Sequence, residues 1–155
     1  MSRKEVQLEI LNRQEISKGG QEELEFECEG LMYVKRGSIY LLYNETGEGL
    51  SGARTTLKFN PQEERVLIQR KGSGGLKQKF IEGQTHCSFY KTGQGKLEMK
   101  TKTVSLNIIT RESADEIIGG ELQICYRLYL GSSYFSTNDL KIKFELLDEE
   151  ISHED

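Results

Sequence analysis

Glu23-Leu24-Glu25-Phe26-Glu27-Cys28-Glu29 sets a glutamate at every odd position and an apolar residue at every even one. Side chains along a strand point alternately to its two faces, so this run reads as a strand with one wet face and one dry face. The same rhythm recurs on both sides of it, between glycine-marked turns, almost to the C-terminus. A chain of consecutive antiparallel strands with one dry face must close or fold over on itself.

Upstream, Val6, Leu8 and Ile10 alternate, and Lys18-Gly19-Gly20 turns into the glutamate strand. Gly30 is expected to break that strand. Met32 and Val34 then lead to the two-residue turn Arg36-Gly37 and on to Ile39, Leu41 and Tyr43, where both faces carry apolar groups. Thr55, Leu57 and Phe59 precede the turn Asn60-Pro61-Gln62-Glu63, and Val66, Ile68 and Arg70 follow it. Ser73-Gly74-Gly75 connects to Leu76, Gln78 and Phe80. A strand near residues 85–91 turns at Gly93-Gln94-Gly95 into Leu97, Met99, Thr101 and Thr103, which start a strand running to about Ile109. Residues 111–116 have room for one helical turn, too short to stand alone. Leu122, Ile124, Tyr126, Leu128 and Leu130 alternate most cleanly, and Leu140, Ile142, Phe144 and Leu146 end the series after a Ser/Asn-rich loop.

About ten strands at short spacings, with no sustained helical period, specify an all-β fold: a single antiparallel up-and-down β-barrel of 8–10 strands. The domain is expected over residues 1–147, with an acidic, frayed tail at 148–155. One domain of this kind accounts for the whole chain of 155 residues.

Charged residues make up 30% and the net charge is −4. No basic excess serves phosphate contacts, which argues against nucleic acid as the main partner. No stretch approaches the ~20 apolar residues of a membrane-spanning helix. Residues 1–15 lack the apolar core of a secretory signal. Three widely spaced cysteines, Cys28, Cys87 and Cys125, fit reduced thiols in a cytoplasm better than a disulfide frame.

Motif chemistry is sparse. Gly47-Glu48-Gly49-Leu50-Ser51-Gly52 matches G-x-G-x-x-G, but a strand pattern follows where a dinucleotide site needs a helix, so a hairpin loop is expected. His86 and Cys87 are neighbours on a strand and face opposite ways, so they cannot act as a nucleophile–base pair. Metal-ligand spacings are absent, and no metal or cofactor is expected. In Arg127-Leu128-Tyr129 the spacing is similar to the carboxylate clamp of intracellular fatty-acid-binding proteins, but parity with Tyr126 and Leu128 sends Arg127 and Tyr129 outward.

Arg70 is the exception to the pattern, because it shares parity with Val66 and Ile68 and so faces inward. Gln78 shares parity with Leu76 and Phe80. A three-residue loop at 73–75 would pair Ile68 with Phe80 and Arg70 with Gln78, putting a guanidinium and an amide together at one end of the lumen. Against that stands the option that Arg70 reaches solvent from its strand end.

Taken in order, several segments resemble the YwiB-like family of bacterial proteins of unknown function. They are residues 30–35 (GLMYVK), 40–45 (YLLYNE), 70–72 (RKG), 78–83 (QKFIEG) and 90–95 (YKTGQG), with Tyr126, Leu140 and Ile142 after them. The resemblance covers roughly residues 6–147. It implies a calycin-like barrel, related in shape to lipocalins, and no catalytic residues. The lipocalin Gly-x-Trp signature is missing, since the chain has no tryptophan.

The leading expectation is a non-enzymatic barrel that binds a small, partly apolar, anionic molecule. Arg70 would supply charge, and Gln78, Tyr90 and Tyr126 hydrogen bonds. The alternative is a protein–protein module with a solid lumen, in which Leu31, Leu42 and Tyr129 offer a homodimer patch. An enzyme ranks third, for want of a catalytic set.

Overall fold

The computed structural model describes residues 3–44, 54–71 and 75–147, except for the side chains of residues 90–92. The G-x-G-x-x-G run, residues 72–74 and the acidic tail therefore lie outside the described residues. Ten antiparallel strands form one sheet: β1 (Lys4–Ile16), β2 (Gln21–Lys35), β3 (Ser38–Asn44), β4 (Arg54–Asn60), β5 (Arg65–Lys71), β6 (Leu76–Ile81), β7 (Thr85–Thr92), β8 (Gly95–Ser113), β9 (Glu116–Leu130) and β10 (Ser133–Leu146). Their order is β6-β5-β4-β3-β2-β1-β10-β9-β8-β7, so every pair of neighbours is consecutive in the chain except β1 and β10, which join its two ends. The result is a nearly closed up-and-down barrel with its seam between β6 and β7.

That seam carries no strand ladder among the described residues, and the turn that links β6 to β7 is tied to β8. Gly83 N–H donates to the Thr103 carbonyl at 2.8 Å, and Thr103 N–H donates to the Gln84 carbonyl at 3.0 Å. The Glu82 carboxylate accepts the Leu106 N–H at 2.9 Å. These bonds satisfy backbone groups of the turn and of β8. Among the described residues no helix is long and apolar enough to cross a membrane.

Inward parity follows the alternation. Val6, Leu8, Leu41, Leu57, Phe80, Leu122 and Ile124 are all fully buried. Phe59 and Phe144 meet edge to face at 5.8 Å. The outward glutamates of β2 are exposed. Arg36-Gly37 is a two-residue turn with both φ positive, 52° and 82°, between paired Lys35 and Ser38. At the proline turn, the Asn60 side-chain oxygen accepts the N–H groups of Gln62 and Glu63.

Five local expectations need correction. First, Gly30 does not break β2, which runs through it. A Cβ there would lie 2.5 Å from the Leu42 carbonyl oxygen and 2.8 Å from Leu8, so glycine serves close packing rather than termination. Second, residues 111–116 hold no helical turn. They form a tight hairpin in which Ala114 and Asp115 take positive φ and Ser113 pairs with Glu116. Third, β8 continues past Ile109 to Ser113. A bulge between Thr103 and Ser105 resets its parity, so that Thr101 and Thr103 face in and then Leu106 and Ile108 do. Fourth, the Ser/Asn-rich stretch is strand, since β10 begins at Ser133 and buries Ser136 and Asn138. Fifth, the β5–β6 register differs by two residues. Ile68 pairs with Gln78, and Arg70 pairs with Leu76. A shift of two keeps every side chain on its face, so the inward assignment stands while the direct Arg70–Gln78 pairing does not.

Candidate functional site

The lumen divides along the strands. In β1 the inward series is Val6, Leu8, Ile10, then Asn12 and Gln14; in β10 it is Phe144, Ile142, Leu140, then Asn138 and Ser136. Antiparallel pairing stacks the polar ends together, because Gln14 lies opposite Asn138 and Asn138 lies opposite Tyr126. Tyr126 in turn lies opposite Thr103. On the other wall Thr55 lies opposite Arg70. One end of the barrel is packed with aliphatic and phenyl groups. The other holds amides, hydroxyls and a guanidinium around a cavity of about 190 Å3.

Arg70, Gln78 and Tyr126 all line this cavity. Gln78 and Tyr126 are each 8% exposed and Asn138 only 1%, so these polar groups sit inside rather than at the rim. Gln78 Nε2 donates to Thr101 Oγ1 at 3.3 Å, and the Gln78 side chain also hydrogen-bonds Tyr126. Burial pushes the Tyr126 hydroxyl up to about 12, and the Arg70 charge and the Gln78 bond pull against that rise. Its ring packs at 5.0 Å on Phe80, at the boundary with the packed end. Tyr90 lies in β7 opposite Leu97, and its side chain falls outside the described residues.

Sequence parity missed the amide cluster across the cavity. Asn12 Nδ2 donates to Asn138 Oδ1 at 3.3 Å, Asn138 Nδ2 to Ser136 Oγ at 3.0 Å, and Gln14 Nε2 to Ser136 Oγ at 3.2 Å. Asn12 Oδ1 and Thr103 Oγ1 are buried with no hydrogen-bond partner. The signal that marked Arg70, a polar residue at inward parity, holds equally for Asn12, Gln14 and Asn138. Apolar walls come from Ile10, Phe26, Ile68, Leu128 and Leu140. Among the described residues lining the cavity, the charged group is Arg70, and there is no carboxylate.

Other motifs stay dispersed. Arg127 is exposed, and Tyr129 packs on Tyr134 at 5.8 Å on the outer face, as parity requires. The three cysteines, on β2, β7 and β9, form no disulfide with one another. Burial and the charge of Lys79 lower the affinity of His86 for a proton, while Cys87 on the outer side bonds Glu98. Among the described residues no group of three or more His, Cys, Asp or Glu could hold a metal.

The family model for a domain of unknown function, DUF1934, matches residues 9–142. The chain is 32% identical over 127 residues to the uncharacterised β-barrel protein YwiB of Bacillus subtilis strain 168, covering 82% of this chain and 84% of that one. A crystal structure of the Bacillus subtilis ywiB protein superposes with a TM-score of 0.77 at 29% identity, over 94% of this chain and 93% of that one.

Proposed function

The chain belongs to the DUF1934 family, and on that premise we propose that its barrel is a non-enzymatic receptor for a small, partly apolar acid held at the polar end of the lumen. One observation carries this reading: inward amides, hydroxyls and the Arg70 guanidinium surround open volume, where the other end of the same barrel is filled. Burying polar groups costs free energy, and a cavity keeps them only if something hydrogen-bonds them. Ligand sites have this composition, mostly apolar walls with a few convergent polar groups.

Volume limits the ligand. About 190 Å3 equals roughly six water volumes. That is below the ~300–1,000 Å3 of clefts for drug-sized molecules. A short-chain or single-ring carboxylic acid fits, and a long fatty acid does not. Its carboxylate would meet Arg70 and the Tyr126 hydroxyl, its apolar body Ile10, Phe26 and Leu128, and any donor it carries Asn12 Oδ1. The interaction-module alternative draws its support from the solid packing of the opposite end.

The test is thermal unfolding with acetate, butyrate and benzoate on the wild type and on Arg70→Met. Raised melting temperatures in the wild type, lost in the variant, are expected. A wild type indifferent to all of them, or a shift that survives the substitution, overturns the reading.

A further inference from the structure

The net charge of −4 averages over two unlike walls of the barrel. Glu23, Glu25, Glu27 and Glu29 are exposed on the outer face of β2. In the strand order β2 lies five places from β7, so in a ring of ten it takes the opposite wall. The wall around β7 is basic. Lys77 and Lys79 are exposed on β6, Lys100 and Lys102 on β8, and Arg127 on β9. Register sets Lys102 beside Arg127 and Lys100 beside Tyr129. The lysines of β6 belong to the same wall, since the Lys79 charge acts across the seam on His86 of β7. Among the described outward positions of β6, β7 and β8 as far as Lys102, the acid is Glu98. It is half-buried, accepts a bond from Cys87 Sγ at 3.2 Å and lies 4.0 Å from Lys100. Among the described residues Lys77, Lys79, Lys102 and Arg127 form no ion pair. Between the two lysine pairs stands Phe89 of β7, 60% exposed. Beyond Lys100 the Tyr129 ring meets that of Tyr134, which is 40% exposed.

We infer that the wall formed by β6–β9 binds single-stranded nucleic acid. Clustered cations without acid partners attract a polyanion, which gains entropy by shedding its own counterions on them. An exposed phenyl ring set among those cations is a stacking platform for an unpaired base, and Tyr134 offers a second. Shape selects the flexible strand. The outside of a barrel is convex, so a rigid duplex or a folded acidic protein touches it along a narrow line and leaves the outer cations unused. A single strand bends with the wall and sets phosphates against the lysines of β6 and of β8 in turn. Its bases also use Phe89, to which an acidic polypeptide brings no planar group. No element of this wall projects to read base edges, so binding tolerates any sequence. With five cations engaged, the logarithm of affinity should fall against the logarithm of salt with a slope of about −3.5.

Fluorescence anisotropy with labelled oligouridine and oligothymidine at low salt tests this. The wild type should bind both. The variants Lys77→Glu/Lys79→Glu and Lys100→Glu/Lys102→Glu should each lose affinity by at least about tenfold and flatten the salt slope. Phe89→Ala should weaken binding by about tenfold with the slope unchanged, because it removes stacking and no charge. Lys18→Glu/Lys143→Glu alters net charge by the same amount away from this wall and should leave affinity as it is. All these side chains are exposed, so circular dichroism should report an unchanged fold. A wild type that binds neither oligonucleotide at about 100 μM protein overturns the inference. So do equal losses in the control pair, an unaffected Phe89→Ala, or oligoglutamate that competes as well as the oligonucleotide does. None of these residues lines the lumen cavity, so the carboxylate response of the barrel stands or falls separately.

Discussion

The two ends of the lumen are built by the same ten strands and behave as different materials. Around Phe59, Phe144, Leu8 and Leu57 every inward side chain is apolar and fully buried. Around Tyr126, Gln78, Asn138 and Arg70 the inward positions are polar, two buried acceptors lack partners, and volume remains. Alternation specifies only that a position faces in. What stands there decides whether the barrel is a core or a container: apolar groups close-pack without directional demands, whereas amides and a guanidinium hold space open for groups that can bond them.

The largest contrast should appear on truncation. Phe59→Ala should cost about 3–5 kcal/mol in urea denaturation, as loss of a fully packed ring does. Phe26→Ala at the cavity should cost at most about half of that, since its ring already faces open volume. Equal losses would erase the distinction between the ends. Next in size is a pH effect. Tyr126 stays protonated in the folded state up to about pH 12, while in the unfolded chain it ionises near 10. Its contribution is therefore complete below pH 10 and lost as pH rises to 12, by about 3 kcal/mol. Stability measured across that window should fall more steeply in the wild type than in Tyr126→Phe, and parallel curves would contradict the buried hydroxyl.

Smaller effects sharpen the boundary. A Cβ on Gly120 would lie 2.5 Å from the Ile109 carbonyl oxygen and 2.8 Å from the Phe144 ring. Gly120→Ala should therefore destabilise by about 1–3 kcal/mol, as overpacking does. A neutral result would show that the packed end has slack. Thr103→Val, at the polar end, removes a buried hydroxyl without a partner and keeps the shape. Stability should stay level or rise by up to ~1 kcal/mol.

Much of this division was legible in the sequence. Inward parity singled out Arg70 and Gln78 on β5 and β6, and the family resemblance added Tyr126; the cavity brings these three together. Parity also sent Arg127 and Tyr129 outside. Register was not legible, because an even slip preserves faces and residues 72–74 carry no pattern that counts loop length. Neither was the bulge at Val104, where two apolar parities meet without a glycine to mark the switch. The Ala114-Asp115 turn was read as a helical turn because neither residue is glycine, although both take positive φ. Asn12, Gln14 and Asn138 carry the same inward-polar signal as Arg70, but Asn138 falls in a stretch that reads as loop, and the apolar alternation of the first strand ends at Ile10.

The division of the lumen is tested most directly by a heteronuclear NMR titration with benzoate. Signals of Phe26, Tyr126 and Leu128 should move with a single saturating curve, while those of Phe59 and Phe144 stay in place. Shifts spread evenly over both ends, or no shift at the cavity residues, would contradict a barrel that is packed at one end and receptive at the other.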